Sequence, residues 1–225
     1  MKTTIKQPPV AKQSSLMKRL QPLVHPLSLL PLVLLIWDWS TNNLSFNPVQ
    51  DITSRTGEPA IVLLMLSIAC TPLNIMFGWK WVVALRKPLG LYAFLYVCLH
   101  LLTFLLLDYG LRWDLILQAA SEKRYILVGT TAFLLLVPLA LTSTKGAMKR
   151  LGKNWKRLHM LIYLIVPLAV FHLLWLSKDP RKALVFAVIV AVLLLVRLPS
   201  VRRAISALRQ PRTSAAAQQS GNPGK

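Results

Sequence analysis

Two histidines, His159 and His172, stand in the apolar run KRLHMLIYLIVPLAVFHLLWL from Lys156 to Leu176, and a third, His100, stands in LGLYAFLYVCLHLLTFLLL from Leu89 to Leu107. Each run is near the roughly 20 residues with which a helix crosses a bilayer. An imidazole in hydrocarbon has no water to bond, so an ionisable residue there points to function and calls for a named partner. A haem iron suits it. Imidazole is neutral over much of the working pH range, offers the lone pair of one nitrogen, and keeps the other for a hydrogen bond that orients the ring. Three such histidines supply one iron with two ligands and leave one imidazole over.

The elements that must position them follow from composition. Of 225 residues, 55% are hydrophobic and the mean hydropathy is +0.53, which makes the chain an integral membrane protein. The fold class predicted is all-α, a polytopic bundle of about six transmembrane helices. Their approximate ranges are 22–39, 60–77, 89–107, 125–142, 158–176 and 183–198, within a domain spanning 20–198. Residues 1–19 read as a basic tail without apolar periodicity, and 199–225 as a basic juxtamembrane segment passing into a disordered tail. Residues 40–59, with Asp51, Arg55 and a Thr56-Gly57-Glu58 turn, read as a polar connection. No cleavable leader is expected ahead of the first run. Cys70 and Cys98 both fall inside apolar runs, so no disulfide framework follows.

The charge of +20 would suggest nucleic acid in a soluble chain, but its distribution argues otherwise. With six spans both tails share one side with the second and fourth loops, and these segments hold 20 of the 27 Lys and Arg. All seven acidic residues, Asp38, Asp51, Glu58, Asp108, Asp114, Glu122 and Asp179, fall on the other side. The positive-inside rule therefore places both termini in the cytoplasm, and the basic runs orient the chain and meet anionic lipid rather than nucleic acid.

Direction separates the histidines by depth. His100 lies about 18 Å into its span and His172 about 22 Å into its own, counted from the cytoplasmic side at 1.5 Å per residue. They share a level in the outer half, where two imidazoles from different helices can ligate one haem b from opposite faces. His159 sits at the inner end without a partner at its level. It is also about 140° from His172 around an ideal helix, an offset that a kink at Pro167 would reduce. The alternative for His100 and His172 is burial against neighbouring hydroxyls or carbonyls. For His159 and His25 it is an interfacial or packing role.

The residues also resemble a known family, the MsrQ (formerly YedZ) proteins of the ferric-reductase-like transmembrane superfamily, over about residues 20–200. The resemblance rests on Thr56-Gly57, on CTPLN (Cys70 to Asn74), on RKPLGLYAFLYVCLHLLTFLLLD (Arg86 to Asp108), on KRYILVGTTAFLLLVPLALTS (Lys123 to Ser143) and on RLGKNWKRLHMLIYLIVPLAVFHLLWLSK (Arg150 to Lys178). By that similarity His100, His159 and His172 match the family's three histidines.

The resemblance implies a multi-pass subunit of the bacterial inner membrane that binds haem b and FMN. It takes electrons from quinol, or from a separate flavin reductase, and delivers them to a periplasmic molybdenum-cofactor methionine sulfoxide reductase that repairs oxidised proteins. Substrate chemistry then belongs to that partner and the chain is a relay. About 27 residues follow the last apolar run, too few for the cytoplasmic NADPH and flavin domain of the oxidase relatives. No glycine-rich phosphate loop marks the flavin; the basic loop Lys145, Lys149, Arg150, Lys153 and Lys156 around Trp155 is one place for it. Other readings are a cytochrome b reducing metal or another acceptor, a small transporter, and a membrane anchor.

Overall fold

The computed structural model describes residues 11–176 and 180–209, and all the secondary structure among them is helical. The elements are α1 (Ala11–Ser40), α2 (Pro48–Phe77), α3 (Val82–Leu102) continued by a π-helical turn (Thr103–Asp108), α4 (Trp113–Glu122), α5 (Arg124–Leu141), α6 (Lys145–Leu151), α7 (Lys153–His159), α8 (Ile162–Leu176), α9 (Pro180–Leu195) and α10 (Pro199–Arg209). Five stretches are long and apolar enough to cross a membrane: Gln21–Ser40, Pro48–Phe77, Val82–Asp108, Arg124–Leu141 and Lys153–Leu176. A sixth exists if α9 and α10, bent by 77° where they meet, count as one. The chain is a multi-pass membrane protein, as its six apolar runs predict. Asp179 and the tail residues before 11 and after 209 lie outside the described residues.

Several elements are longer than the apolar runs. Helix α2 begins at Pro48, where the Asn47 side chain accepts from the Gln50 amide at 3.3 Å and Pro48 loses no helical bond at the first position. The Thr56-Gly57-Glu58 stretch read as a turn is therefore inside α2. Charge is tolerated there because Arg55 bonds Asp51 one turn back, at 2.9 Å, and also pairs with Asp38 of α1. Helix α3 begins at Val82 rather than near Leu89, and α4 forms between the third and fourth apolar runs, where no helix is predicted. α4 turns Ile116 and Ala119 inward and leaves Trp113 and Leu117 exposed. Helices also occupy Ala11 onward and Pro199–Arg209, where tails are expected from sequence.

The core lies where α2 packs along α3 and α5 along α8, built on Leu64, Ile68, Tyr96, Leu136, Ile165 and Val166. Small residues let α2 and α3 approach closely: a Cβ on Gly90 would stand 3.2 Å from the Ser67 hydroxyl oxygen. Tyr96, fully buried, ties α1 to this pair. Its hydroxyl donates to the Ser28 carbonyl at 2.8 Å and accepts from the Leu32 amide at 3.1 Å. That inserts it between two groups an unbroken helix would have bonded to each other, beside Pro31. Leu27, Val33, Leu134 and Val188 face outward, as lipid-exposed side chains do.

Candidate functional site

His100 on α3 and His172 on α8 come together in the bundle interior, with ring centroids 6.3 Å apart and planes at 87°. Each imidazole is oriented by a backbone carbonyl of a neighbouring helix: His100 Nδ1 lies 3.0 Å from Thr53 O of α2, and His172 Nδ1 lies 2.8 Å from Tyr125 O of α5. A carbonyl only accepts, so each Nδ1 carries the proton and the lone pair is on Nε2. That is the second-shell bond a metal-ligating histidine makes. The rings are satisfied by carbonyls, the alternative named from the sequence, and that bonding leaves Nε2 of each ring uncommitted.

The separation fits one iron. Two nitrogens about 2 Å from a metal on opposite faces put their ring centroids about 6 Å apart. No group of three or more His, Cys, Asp or Glu side chains that could hold a metal ion occurs among the described residues. Two imidazoles alone suit a metal that arrives with its other ligands attached, as haem iron does in its porphyrin.

Two glycines complete the cradle. Gly57 follows Thr53 by four residues, and a Cβ there would stand 3.1 Å from His100 Nδ1; Gly129 follows Tyr125 by four, and a Cβ there would stand 2.8 Å from His172 Nδ1 and Cε1. In a helix, residue i+4 stacks over residue i. A ring reaching the carbonyl of residue i therefore crosses the face where residue i+4 would project, and only glycine leaves room. Carbonyl and histidine are 47 residues apart in both pairs, so α2–α3 and α5–α8 present the same module twice. The Asp38–Arg55–Asp51 cluster clasps the end of α2 that supplies Thr53 O. Just beyond His100, the π-helical turn of α3 widens the helix, a feature frequent at functional sites.

His159 lies apart from this pair. Its ring stacks on Trp155 at 4.0 Å, its Nδ1 bonds the Trp155 carbonyl at 3.1 Å, and Trp155 Nε1 donates to Thr142 O at 3.0 Å. The helical irregularity between His159 and His172 is at Met160–Leu161, where three-residue turns join α7 to α8; α8 runs on through Pro167. Near His159 the fold gathers residues that sequence spacing does not connect. Arg86 is within electrostatic reach of both His159 and Arg197. Arg197 bonds the Ile68 carbonyl and lies over the Tyr163 ring. The Leu139 carbonyl is close to His159, yet His159 Nε2 and Arg197 Nε are buried without a hydrogen-bond partner among the described residues. Two guanidiniums, one with its Nε free to donate, suit an oxyanion, whereas His159, with Nδ1 bonded to a carbonyl, presents the lone pair of Nε2 and joins them only when protonated. His25 is exposed on α1, apart from the pair, with Nδ1 2.9 Å from the Tyr92 hydroxyl.

A helical membrane bundle with two carbonyl-oriented imidazoles paired in its interior is the arrangement that a membrane-embedded haem would require. Residues 56–170 match the family model described as ferric reductase like transmembrane component. Among curated proteins, the chain is 44% identical over 192 residues to the protein-methionine-sulfoxide reductase heme-binding subunit MsrQ of Xanthomonas axonopodis pv. citri (strain 306), covering 82% of this chain and 88% of the relative. It is 44% identical over 161 residues to the subunit of the same name from Herminiimonas arsenicoxydans, covering 70% of this chain and 74% of that one. The chain belongs to the MsrQ family.

Proposed function

We propose that this chain is the electron-transfer subunit of a methionine sulfoxide reductase system, holding one haem b between His100 and His172. The observation that carries the reading is the 6.3 Å separation of two rings whose Nδ1 atoms are both already committed to carbonyls. Haem, when bound, supplies one-electron chemistry. The chain's part is to present two Nε2 lone pairs, to hold both rings through Thr53 O and Tyr125 O, and to keep water out with α2, α3, α5 and α8. Methionine sulfoxide reduction takes place on a periplasmic molybdenum-cofactor reductase, and the proposed electron donor is membrane quinol. The site proposed for its headgroup is the open groove between α1 and α3, lined by Gln21, His25, Lys87, Leu91, Tyr92 and Leu95. FMN, implied by family resemblance, is proposed to bind beside His159, with Arg86 and Arg197 as the groups that would meet its phosphate.

The orientation proposed is that of the charge distribution in the bacterial inner membrane. Reporter fusions after Lys87, after Arg157 and at the C-terminus are expected to read cytoplasm, and fusions after Asp51 and Asp114 periplasm. The reverse pattern would place His100 and His172 toward the cytoplasm and remove the basis for periplasmic delivery.

In that orientation the partner meets the loops around α4. Ion pairs offset part of their acidity: Arg55 takes Asp38 and Asp51, Arg112 takes Asp114 at 2.9 Å, and Lys182 lies 3.6 Å from Glu58. The Arg112 guanidinium holds the Asp114 carboxyl below the usual carboxylate range, so it stays ionised. Stopped-flow absorbance tests the whole reading. Quinol is expected to produce the reduced haem band and the periplasmic reductase to bleach it. Charge reversal at Asp108, Asp114 and Glu122 together slows only the bleaching, by a factor that shrinks with salt. A haem band that neither quinol nor a flavin reductase produces, or that the periplasmic reductase leaves unchanged, would sink the relay.

A further inference from the structure

We propose that Thr56 sets the electron-donor strength of His100, so that the two imidazoles are unequal ligands; this rests on the ligation proposed above. The Thr53 carbonyl that orients His100 is shared. The Thr56 hydroxyl lies 3.0 Å from it and 2.8 Å from the Ile52 carbonyl, while His100 Nδ1 lies 3.0 Å away. Thr56 is 1% exposed, so its proton has no water to turn to and is divided between those two carbonyls. In the matching module the residue three after Tyr125 is Val128, which has no hydroxyl, and the His172 bond to Tyr125 O is the shorter at 2.8 Å.

A carbonyl receiving an additional donor is a weaker acceptor for each. Thr56 therefore loosens the hold of Thr53 O on the His100 N–H. A stronger bond at Nδ1 makes an imidazole more basic at Nε2, and a more basic ligand favours the oxidised metal. Thr56 thus makes His100 the poorer donor of the two and raises the reduction potential of the metal it ligates. The position is open to reversal, because a hydroxyl at 128 would reach back to the carbonyls of Arg124 and Tyr125 as threonine does within a helix.

The test is redox titration and low-temperature EPR of the purified haem-loaded protein with three variants. Thr56→Val, which keeps the shape and removes the hydroxyl, is expected to retain haem while its midpoint potential moves negative and its low-spin g values shift. Thr56→Ser restores wild-type values. Val128→Thr moves the potential positive. Thr56→Val and Val128→Thr both matching wild type, with haem content intact, overturns the proposal. If Thr56→Val does not fold, Val128→Thr decides alone, and an unmoved potential there overturns it. A wild-type protein without a two-histidine low-spin signal would instead overturn the ligation on which the proposal stands.

Discussion

Alanine at His100 or at His172 abolishes the low-spin two-histidine haem spectrum, and the double variant is no worse than either single one. Disturbing groups that merely orient a ligand typically costs about 10- to 100-fold in metal affinity, so loss of a ligand itself exceeds that. The two losses do not add, because an iron with one imidazole has already left the state that the spectrum reports. Alanine at His159 behaves differently. Its ring is committed to Trp155 and makes its bond there, so the low-spin spectrum survives and any change falls on flavin content. Heme-to-protein ratio and the reduced-minus-oxidised difference spectrum are the measurements. Survival of the low-spin spectrum in His100→Ala and His172→Ala would remove the assignment, and a loss in His159→Ala equal to theirs would show that the three imidazoles share one site.

Why the pair was legible and its setting was not has a physical cause. Two histidines in long apolar runs are conspicuous because hydrocarbon penalises them, and once charge fixes the direction of each span, helical rise alone puts them at one depth. The groups that orient them are backbone carbonyls, Thr53 O and Tyr125 O, and a carbonyl has no signature among residue letters. Gly57 and Gly129 are visible as letters, but their reason is a ring arriving from another helix. Thr56-Gly57 looks like a turn because Asp51, Arg55 and Thr56 are polar. The cap at Asn47 and the pairing of Arg55 with Asp38, 17 residues away, make it helix instead. Arg86 of α3, His159 of α7 and Arg197 of the turn between α9 and α10 come together only in the tertiary fold, and nothing in their sequence spacing connects them. The short helices α4 and α10 were hidden for a related reason, since a hydropathy window detects spans and misses amphipathic segments of ten residues.

Alanine at Gly129 sharply lowers haem content, and alanine at Gly57 does so by less. Both substitutions favour the helix intrinsically, alanine being the better helix former by about 1 kcal/mol, so a loss of haem cannot be assigned to weakened α2 or α5. The cost is steric. At Gly129 the new Cβ would stand 2.8 Å from two atoms of the His172 ring, closer than such contacts occur, whereas at Gly57 the closest approach to His100 is 3.1 Å. The rings can yield only by turning away from Tyr125 O or Thr53 O, which gives up the bond that aims Nε2. Overpacking of this kind costs about 1–3 kcal/mol, and each 1.4 kcal/mol is about tenfold in affinity. Gly129→Ala is therefore expected to retain an intact, membrane-inserted helical protein with haem occupancy reduced about tenfold or more, and Gly57→Ala a milder loss with perturbed low-spin g values. Circular dichroism on the same preparations separates a misfolded bundle from an empty one. Full haem occupancy with an unshifted spectrum in Gly129→Ala would mean that the ring of His172 does not rest against α5 when the metal is bound, and the two-module cradle would have to be abandoned.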